Sequence, residues 1–298
     1  MFDFLKGGKV NFTFALEPAE FYRFGDTVQG KLTIENQNEL KIQQGRIELV
    51  FKQESEYRHE STTTDSDGHR RVTITSSWQS DEQVAAQMII MQDGTLPAKS
   101  AKTYEFSFAI PQNSTPSFDG GHIVRAKWFV KATLDRKMAA DYNAQVDLPV
   151  YALALRQEPA MREHGNSNEP GEAEVVLRLP NSEWALGDTI EGELVIAPKK
   201  NFDASEIRVD LVRTEDVPRD EGNTYNEEQK IKLAGGTKLQ AGQSLKFPFR
   251  ITIPIGRPPT AQPSQFKVTW QLRGILARRF RGDTQGEADV YVYNARAD

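Results

Sequence analysis

Apolar and polar residues alternate along most of this chain, which is typical of β-strands that bury one face. The clearest alternation follows two Gly-Asp pairs, Gly25-Asp26 and Gly187-Asp188. Glycine tolerates positive φ and aspartate can bond its own downstream amides, so each pair is predicted to form the turn before a strand. The inward positions of the two strands are Val28, Gly30, Leu32 and Ile34 in the first copy and Ile190, Gly192, Leu194 and Ile196 in the second.

The remaining strands recur in the same order. An aromatic strand that ends at Pro111 has a counterpart that ends at Pro254, and Trp128 and Trp270 follow at equivalent inward positions. A large aromatic in that phase is predicted to lie between two sheets. No long stretch has helical periodicity. The chain is therefore predicted to be all-β, with two tandem antiparallel β-sandwich domains.

The length and a polar central segment predict where the domains meet. At 298 residues the chain suits two domains of ordinary size. Proline, glycine and asparagine are frequent between positions 156 and 171 and resist both helices and sheets. We therefore predict an N-terminal domain over 1–155, a linker with some freedom over 156–171 and a C-terminal domain over 172–298.

Charge and composition exclude several kinds of partner and site. The formal net charge is -5, so no overall positive field exists to hold nucleic acid or an anionic membrane. The chain has no cysteine, which excludes disulfides and thiolate chemistry. The first residues lack a signal-peptide pattern, and the longest apolar runs are far shorter than a membrane span. We expect a cytoplasmic protein with no nucleic-acid partner and, at most, peripheral contact with a membrane.

No group of residues has the pattern of a catalytic or metal site. The four histidines lie outside any known nucleophile or zinc motif. The segment Asp65-Ser66-Asp67-Gly68 is similar to part of a calcium loop, but Ile74 stands where the closing glutamate would be, so a hairpin turn is the better interpretation. The sequence thus predicts a non-enzymatic protein without catalytic residues, cofactors or metal ligands.

The order of these elements, found twice, resembles the arrestin fold. The features that carry the resemblance are a Gly-Asp turn, a strand that contains glycine, an aromatic strand that ends in Ile-Pro, a Pro-Ser pair and a strand with an inward tryptophan. The resemblance covers nearly the whole chain and implies two tandem immunoglobulin-like, arrestin-type antiparallel β-sandwiches that serve as scaffolds. Relatives of this kind include animal arrestins, arrestin-domain trafficking adaptors, the retromer arrestin-like subunit and bacterial sporulation-control proteins.

The sequence differs from the better-known arrestins in two motifs. The first strand, 10–16, lacks the paired lysines with which receptor-binding arrestins sense phosphate, and the only Pro-Pro, Pro258-Pro259, is followed by Thr260-Ala261 and not by a Pro-Pro-x-Tyr motif. We interpret the chain as a scaffold or adaptor that binds other proteins through sandwich edges, concave faces or a hairpin. The alternatives are a sporulation-control-like regulator or a β-sandwich that binds a small ligand or carbohydrate. A hydrolase is a weaker third hypothesis.

The first half carries an insertion that predicts a hairpin. The span from Leu49 to Leu96 is 47 positions and the matching span from Val209 to Leu239 is 30, so the first half has 17 more. Strand-forming residues flank the Asp-Gly pair of this insertion, which predicts a long β-hairpin over 54–81.

Candidate partner-binding residues come from this hairpin and from one basic cluster that contains an aromatic residue. Sheet edges offer two further possibilities, capture of a partner strand and self-association into a homo-oligomer, and Pro248 predicts that its strand is an edge. The candidates are Tyr57, His59, His69, Arg70 and Arg71 in the hairpin and Arg278, Arg279 and Arg281 in the cluster.

Overall fold

A computed structural model describes residues 10–155, 158–165, 167–218 and 222–297. The chain divides into two compact units. Unit 1 contains residues up to 54, 79–117 and 125–152, whereas unit 2 contains 55–78, 118–124 and 153 onwards. The described residues form β-strands without any helix, which confirms the all-β prediction, and none of them lies in a helix able to span a membrane.

Among the described residues, nine strands lie in the first half of the chain, and the fourth and fifth are by far the longest. They are β1 (Val10–Leu16), β2 (Tyr22–Arg23), β3 (Thr27–Asn36), β4 (Leu40–Thr64), β5 (Arg70–Leu96), β6 (Ser100–Ala109), β7 (Val124–Asp135), β8 (Tyr142–Leu148) and β9 (Val150–Tyr151). They form a three-stranded sheet in the order β1-β3-β6, a four-stranded sheet in the order β5-β4-β7-β8 and a parallel pair of β2 with β9.

The core of unit 1 lies between the inward faces of these sheets. In β7, Trp128 is 2% exposed, and its ring centroid lies 5.2 Å from that of Phe51. The indole Nε1–H donates a hydrogen bond of 2.8 Å to the carbonyl of Thr115. Other core side chains come from both sheets and include Phe12, Phe14, Leu32, Ile34, Ile47, Leu49, Phe106, Phe108, Val130 and Leu134.

Thirteen strands lie in the described part of the second half, and the order of the main strands repeats that of the first half. They are β10 (Leu153–Ala154), β11 (Arg162–His164), β12 (Ala173–Leu179), β13 (Glu183–Ala185), β14 (Thr189–Pro198), β15 (Phe202–Ala204), β16 (Glu206–Val217), β17 (Asn223–Ala234), β18 (Thr237–Leu239), β19 (Leu245–Thr252), β20 (Lys267–Ala277), β21 (Thr284–Tyr293) and β22 (Ala295–Arg296).

Unit 2 is built from a four-stranded sheet, β11-β12-β14-β19, and a five-stranded sheet, β13-β21-β20-β16-β17. Trp270 in β20 is buried at the position equivalent to Trp128, and its Nε1–H donates to the carbonyl of Pro258 at 3.1 Å. The burial of both indoles confirms the sequence prediction. Pro248 lies in β19, the last strand of its sheet, as its missing amide hydrogen predicted.

The repeated Gly-Asp motif serves the same purpose in each unit. Gly25 and Gly187 have φ of 86° and 89°, the left-handed region that glycine tolerates. The prediction that the aspartates bond downstream amides is wrong. Asp26 accepts a hydrogen bond of 2.7 Å from the amide of Arg23, three residues upstream, and Asp188 does the same with Ala185. The carboxylates thus close each turn against the strand that enters it.

The glycine inside each repeated strand is explained by close packing. A Cβ atom on Gly30 would lie 2.9 Å from the carbonyl oxygen of Ala15 and 2.8 Å from Cζ of Phe106. At Gly192 the corresponding distances, to Arg178 and Phe249, are 2.8 Å and 2.7 Å. Only a residue without a side chain allows the neighbouring strand and the aromatic ring to approach so closely.

Part of the predicted linker is ordered as a strand. Within positions 156–171, β11 pairs antiparallel with β12, and the amide of Ala160 donates to the carbonyl of Pro180 at 3.0 Å. This segment therefore supplies the first edge strand of the four-stranded sheet of unit 2. The domain boundaries at 155 and 172 remain a prediction.

Candidate functional site

The first strand of unit 1 lies at the edge of its sheet. Among the described residues, β1 pairs only with β3. The amide of Glu17 donates to the carbonyl of Gln29, which sets the phase of the ladder. Because hydrogen-bonded pairs alternate in an antiparallel ladder, the backbone groups of Phe12, Phe14 and Leu16 point away from β3. Their side chains are nevertheless on the inward side of the strand.

Unit 2 has a strand on the equivalent edge. Gly30 and Gly192 are equivalent positions of the repeat. Leu16 lies beside Gly30 on the neighbouring strand and Leu179 lies beside Gly192 in the same way, so Leu179 is the equivalent of Leu16. There β11 adds to β12, with Arg162 opposite Leu179 and His164 opposite Leu177. Unit 2 thus shows the geometry that a strand adopts on this edge, and in unit 1 the same positions of β1 have no such neighbour among the described residues.

A groove of about 820 Å³ adjoins the end of β1 in unit 1. Its apolar lining includes Leu16, Met88 and Phe106, whereas Lys31 and Glu105 form an exposed ion pair of 2.8 Å along it. The hydrogen bond from Lys31 lowers the pKa of the Glu105 carboxyl, so that carboxyl is ionised near neutral pH. The groove therefore offers an apolar lining together with the Lys31–Glu105 ion pair and a second carboxyl side chain, that of Glu17.

The predicted hairpin over 54–81 is present as the paired ends of β4 and β5. Asp65 closes its turn, because its Oδ1 accepts the amides of Asp67 at 3.0 Å and His69 at 2.8 Å, and Gly68 has φ of 84°. The distal part of β5 exposes three large apolar side chains on one face, since every second residue points the same way. They are Val72, Ile74 and Trp78.

The five candidate binding residues of the hairpin differ in their exposure and contacts. Tyr57 is only 3% exposed, so its ring belongs to the packed base of the hairpin and not to a binding surface. His59 Nε2 lies 3.0 Å from Ser77 Oγ on the opposite strand. His69, Arg70 and Arg71 are exposed near the turn.

The three arginines of the basic cluster also differ in their exposure. Arg278 is nearly buried, forms ion pairs with Glu169 and Glu172, and lies with its guanidinium 4.0 Å from the ring centroid of Phe202. Its hydrogen bond lowers the pKa of the Glu172 carboxyl. Arg278 therefore stabilises unit 2 and is not available to a partner. Arg279 and Arg281 are exposed, although Arg281 is within 3.5 Å of Glu172.

Sequence reasoning missed a buried ionic network in unit 2. Arg213 and Glu215 in β16 are 2% and 0% exposed and form an ion pair of 2.5 Å. The carboxylate of Glu215 also accepts the amides of His122 at 3.0 Å and Ile123 at 2.8 Å, and Glu227 binds Arg213 at 2.7 Å. In the sequence these residues read as an ordinary polar stretch, so no pattern marked them.

Comparison with known families agrees with this architecture. Residues 10–153 match the family described as Arrestin (or S-antigen), N-terminal domain. Residues 169–277 match the family described as SpoOM protein. A search of curated protein sequences gave no match. The two family matches cover most of unit 1 and the larger part of the second half of the chain, in the order that the sequence resemblance implied.

Proposed function

Because this chain is an arrestin-like protein with a second domain of the SpoOM type, we propose that it is a non-catalytic adaptor that binds partner proteins. The observation that supports this proposal best is the outer edge of β1, which pairs with no strand among the described residues. Edge strands bind extended peptides by main-chain hydrogen bonds, and pockets beside them select side chains. In unit 1 the groove lined by Leu16, Met88 and Phe106 supplies such a pocket next to the edge. Residence in the cytoplasm is part of the same proposal.

The first prediction concerns hydrogen exchange at the two equivalent edges. In the isolated protein, the outward amides of Phe14 and Leu16 should exchange faster than those of Leu177 and Leu179, because β11 covers only the latter pair. Residue-resolved exchange by NMR measures all four. Equal protection of the two pairs would show that β1 is covered, and would remove the support for strand capture.

Peptide selection tests the binding function directly. We expect a random library of linear peptides to yield extended, strand-forming sequences that slow exchange at Phe14 and Leu16 and leave Leu177 and Leu179 unchanged. A bulky maleimide on the variant Ala15→Cys should abolish this binding, since Ala15 lines the groove and the chain has no other cysteine. The same label on Lys102→Cys, an exposed position of β6, is the control. Selected peptides that protect no amide of β1 would contradict the proposal.

The hairpin is a second candidate surface for partner proteins, because Val72 and Ile74 are exposed on it. Its base must be kept, since Tyr57 is buried there and the amide of Glu56 donates to the carbonyl of Ile123. We therefore predict that replacing 60–74 with a two-residue turn leaves the melting temperature within a few degrees of wild type. If the hairpin binds a partner, the same variant should lose that partner in a pull-down. Full retention by the folded variant would restrict the hairpin to an architectural role.

The alternative functions make different predictions. A sandwich that binds a small ligand or carbohydrate should show saturable binding in a glycan or metabolite screen, and Ala15→Cys labelling would affect it only if the ligand occupies the groove. A hydrolase should turn over generic ester or glycoside substrates. Among the described residues, no cluster of three potential ligating side chains forms a metal site that would favour such chemistry.

A further inference from the structure

Two hairpin tips expose a large apolar side chain completely. The loop between β7 and β8 presents Met138, which is 98% exposed, and the loop between β20 and β21 presents Phe280, which is 104% exposed. The other exposed large apolar side chains of the described residues keep at least part of their surface covered. An apolar side chain at such a tip contributes nothing to folding, because its burial supplies the hydrophobic gain and here there is none.

The two tips are equivalent positions of the repeat. Met138 lies ten residues after Trp128, and Phe280 lies ten residues after Trp270. Each loop is closed in the same way, since the amide of Arg136 donates to Asp141 Oδ1 at 3.0 Å and the amide of Arg278 donates to Asp283 Oδ1 at 3.2 Å. An exposed apolar tip therefore occurs once in each unit, on the same loop scaffold.

The backbone conformation at both tips is also unfavourable for methionine and phenylalanine. Met138 has φ of 59° and Phe280 has φ of 62°, in the left-handed region that favours glycine and asparagine. A bulky side chain in this region is strained, and the inference from such an outlier runs to function when packing does not explain it. Loop geometry accounts for the backbone conformation at these two positions but not for the choice of methionine and phenylalanine.

Basic side chains flank both apolar tips. Lys137 precedes Met138, and Arg279 and Arg281 flank Phe280, all exposed. The acidic residues of the loops are engaged behind the tips. Asp141 and Asp283 hold the loop amides, as described above, and Asp135 binds Arg46. Beside the second loop, Glu172 binds Arg278 and lies 3.5 Å from Arg281. The exposed charged side chains next to each apolar tip in the sequence are therefore positive.

We propose that Met138 and Phe280 are lipid-contacting fingers that insert into the surface of an anionic bilayer. A convex tip with one apolar side chain has no groove for a peptide, whereas the soft boundary between head groups and acyl chains can enclose it. The flanking lysine and arginines then lie at the level of anionic head groups, which attract them. This activity is independent of the β1 edge, so the two proposals succeed or fail separately.

The absence of cysteine permits a direct test. The variants Met138→Cys and Phe280→Cys are labelled with an environment-sensitive fluorophore and mixed with vesicles of equal parts phosphatidylcholine and phosphatidylglycerol. We expect the emission of both labels to rise and shift to the blue. The control label, on the exposed loop variant Gln243→Cys, should not change. Vesicles of phosphatidylcholine alone should give a much smaller response, because they lack the anionic head groups.

Unlabelled variants test the energetics. Phe280→Asn and Met138→Asn should each weaken co-sedimentation with the anionic vesicles about tenfold, since each removes one inserted apolar side chain. Arg279→Gln or Lys137→Gln should weaken it about fivefold. The asparagine variants should keep or raise the melting temperature, because asparagine tolerates positive φ and no packing is lost.

Several results would overturn the proposal. They are unchanged vesicle binding by the double variant M138N/F280N, equal binding to phosphatidylcholine alone, and labels at 138 and 280 that stay silent with anionic vesicles. A label response to soluble polyglutamate that equals the response to anionic vesicles would assign the tips to an acidic polypeptide instead, and would equally overturn the lipid proposal.

Discussion

Replacing Trp128 with alanine should lower the free energy of unfolding of unit 1 by about 3 to 5 kcal/mol. The indole is fully surrounded and contacts Phe51, so its removal leaves a cavity between the two sheets. It also leaves the Thr115 carbonyl without its hydrogen-bond donor. Urea unfolding followed by far-ultraviolet circular dichroism measures the loss, provided that the transition of unit 1 is resolved from that of unit 2.

Two variants make this prediction specific. Trp128→Phe keeps most of the apolar volume but not the indole N–H, and should cost about 1 to 3 kcal/mol. Trp78→Ala removes the same residue type from a site that is 42% exposed, and should cost less than about 1 kcal/mol. A cost for Trp128→Ala as small as that for Trp78→Ala would show that the ring does not form the core of the sandwich.

The fold was predictable because each strand carries its own pattern. Strands with one buried face must alternate, so the phases of Trp128 and Trp270 could be assigned without any knowledge of their neighbours. The insertion and its Asp-Gly pair likewise predicted the β4–β5 hairpin. Gly30 was placed on the correct face, but the reason for glycine there is a carbonyl of β1 and a ring of β6, which the pattern of β3 alone does not contain.

The candidate sites were less predictable because they depend on contacts between distant residues. Arg278 looked like a surface cation, and only the fold brings it to Glu169 and Glu172, more than a hundred positions earlier. Tyr57 lies in a polar stretch, yet its ring is buried at the base of the hairpin. The strand β11 has no alternation to mark it, since it is stabilised by addition to β12 and not by a buried face of its own.

Glu215, whose replacement has the second large expected effect, was missed for the same reason, because two of its partners lie far from it in the sequence. Glu215 is fully buried and its carboxylate has three partners, the Arg213 guanidinium and the amides of His122 and Ile123. Glu215→Gln removes the charge and turns one accepting oxygen into an amide donor, which then faces a backbone N–H. Arg213 loses its closest counter-charge in a site that excludes water. Removing one partner of a buried ion pair costs about 3 to 5 kcal/mol, and we expect unit 2 to lose this much stability.

The arginine supplies the matched control. If the cost of Glu215→Gln comes from an uncompensated buried cation, then the double variant R213M/E215Q should be more stable than E215Q alone, because the cation has been removed as well. Glu227 is the outer partner of Arg213, and its side chain is 31% exposed. Water can therefore take its place in the variant Glu227→Gln, and we expect this variant to cost less than about 1.5 kcal/mol. Urea unfolding of unit 2 at neutral pH distinguishes the three variants. A double variant that is less stable than E215Q would mean that Arg213 stabilises unit 2 mainly by packing against Trp270 and Tyr225, whose ring centroids both lie 5.9 Å from its guanidinium carbon.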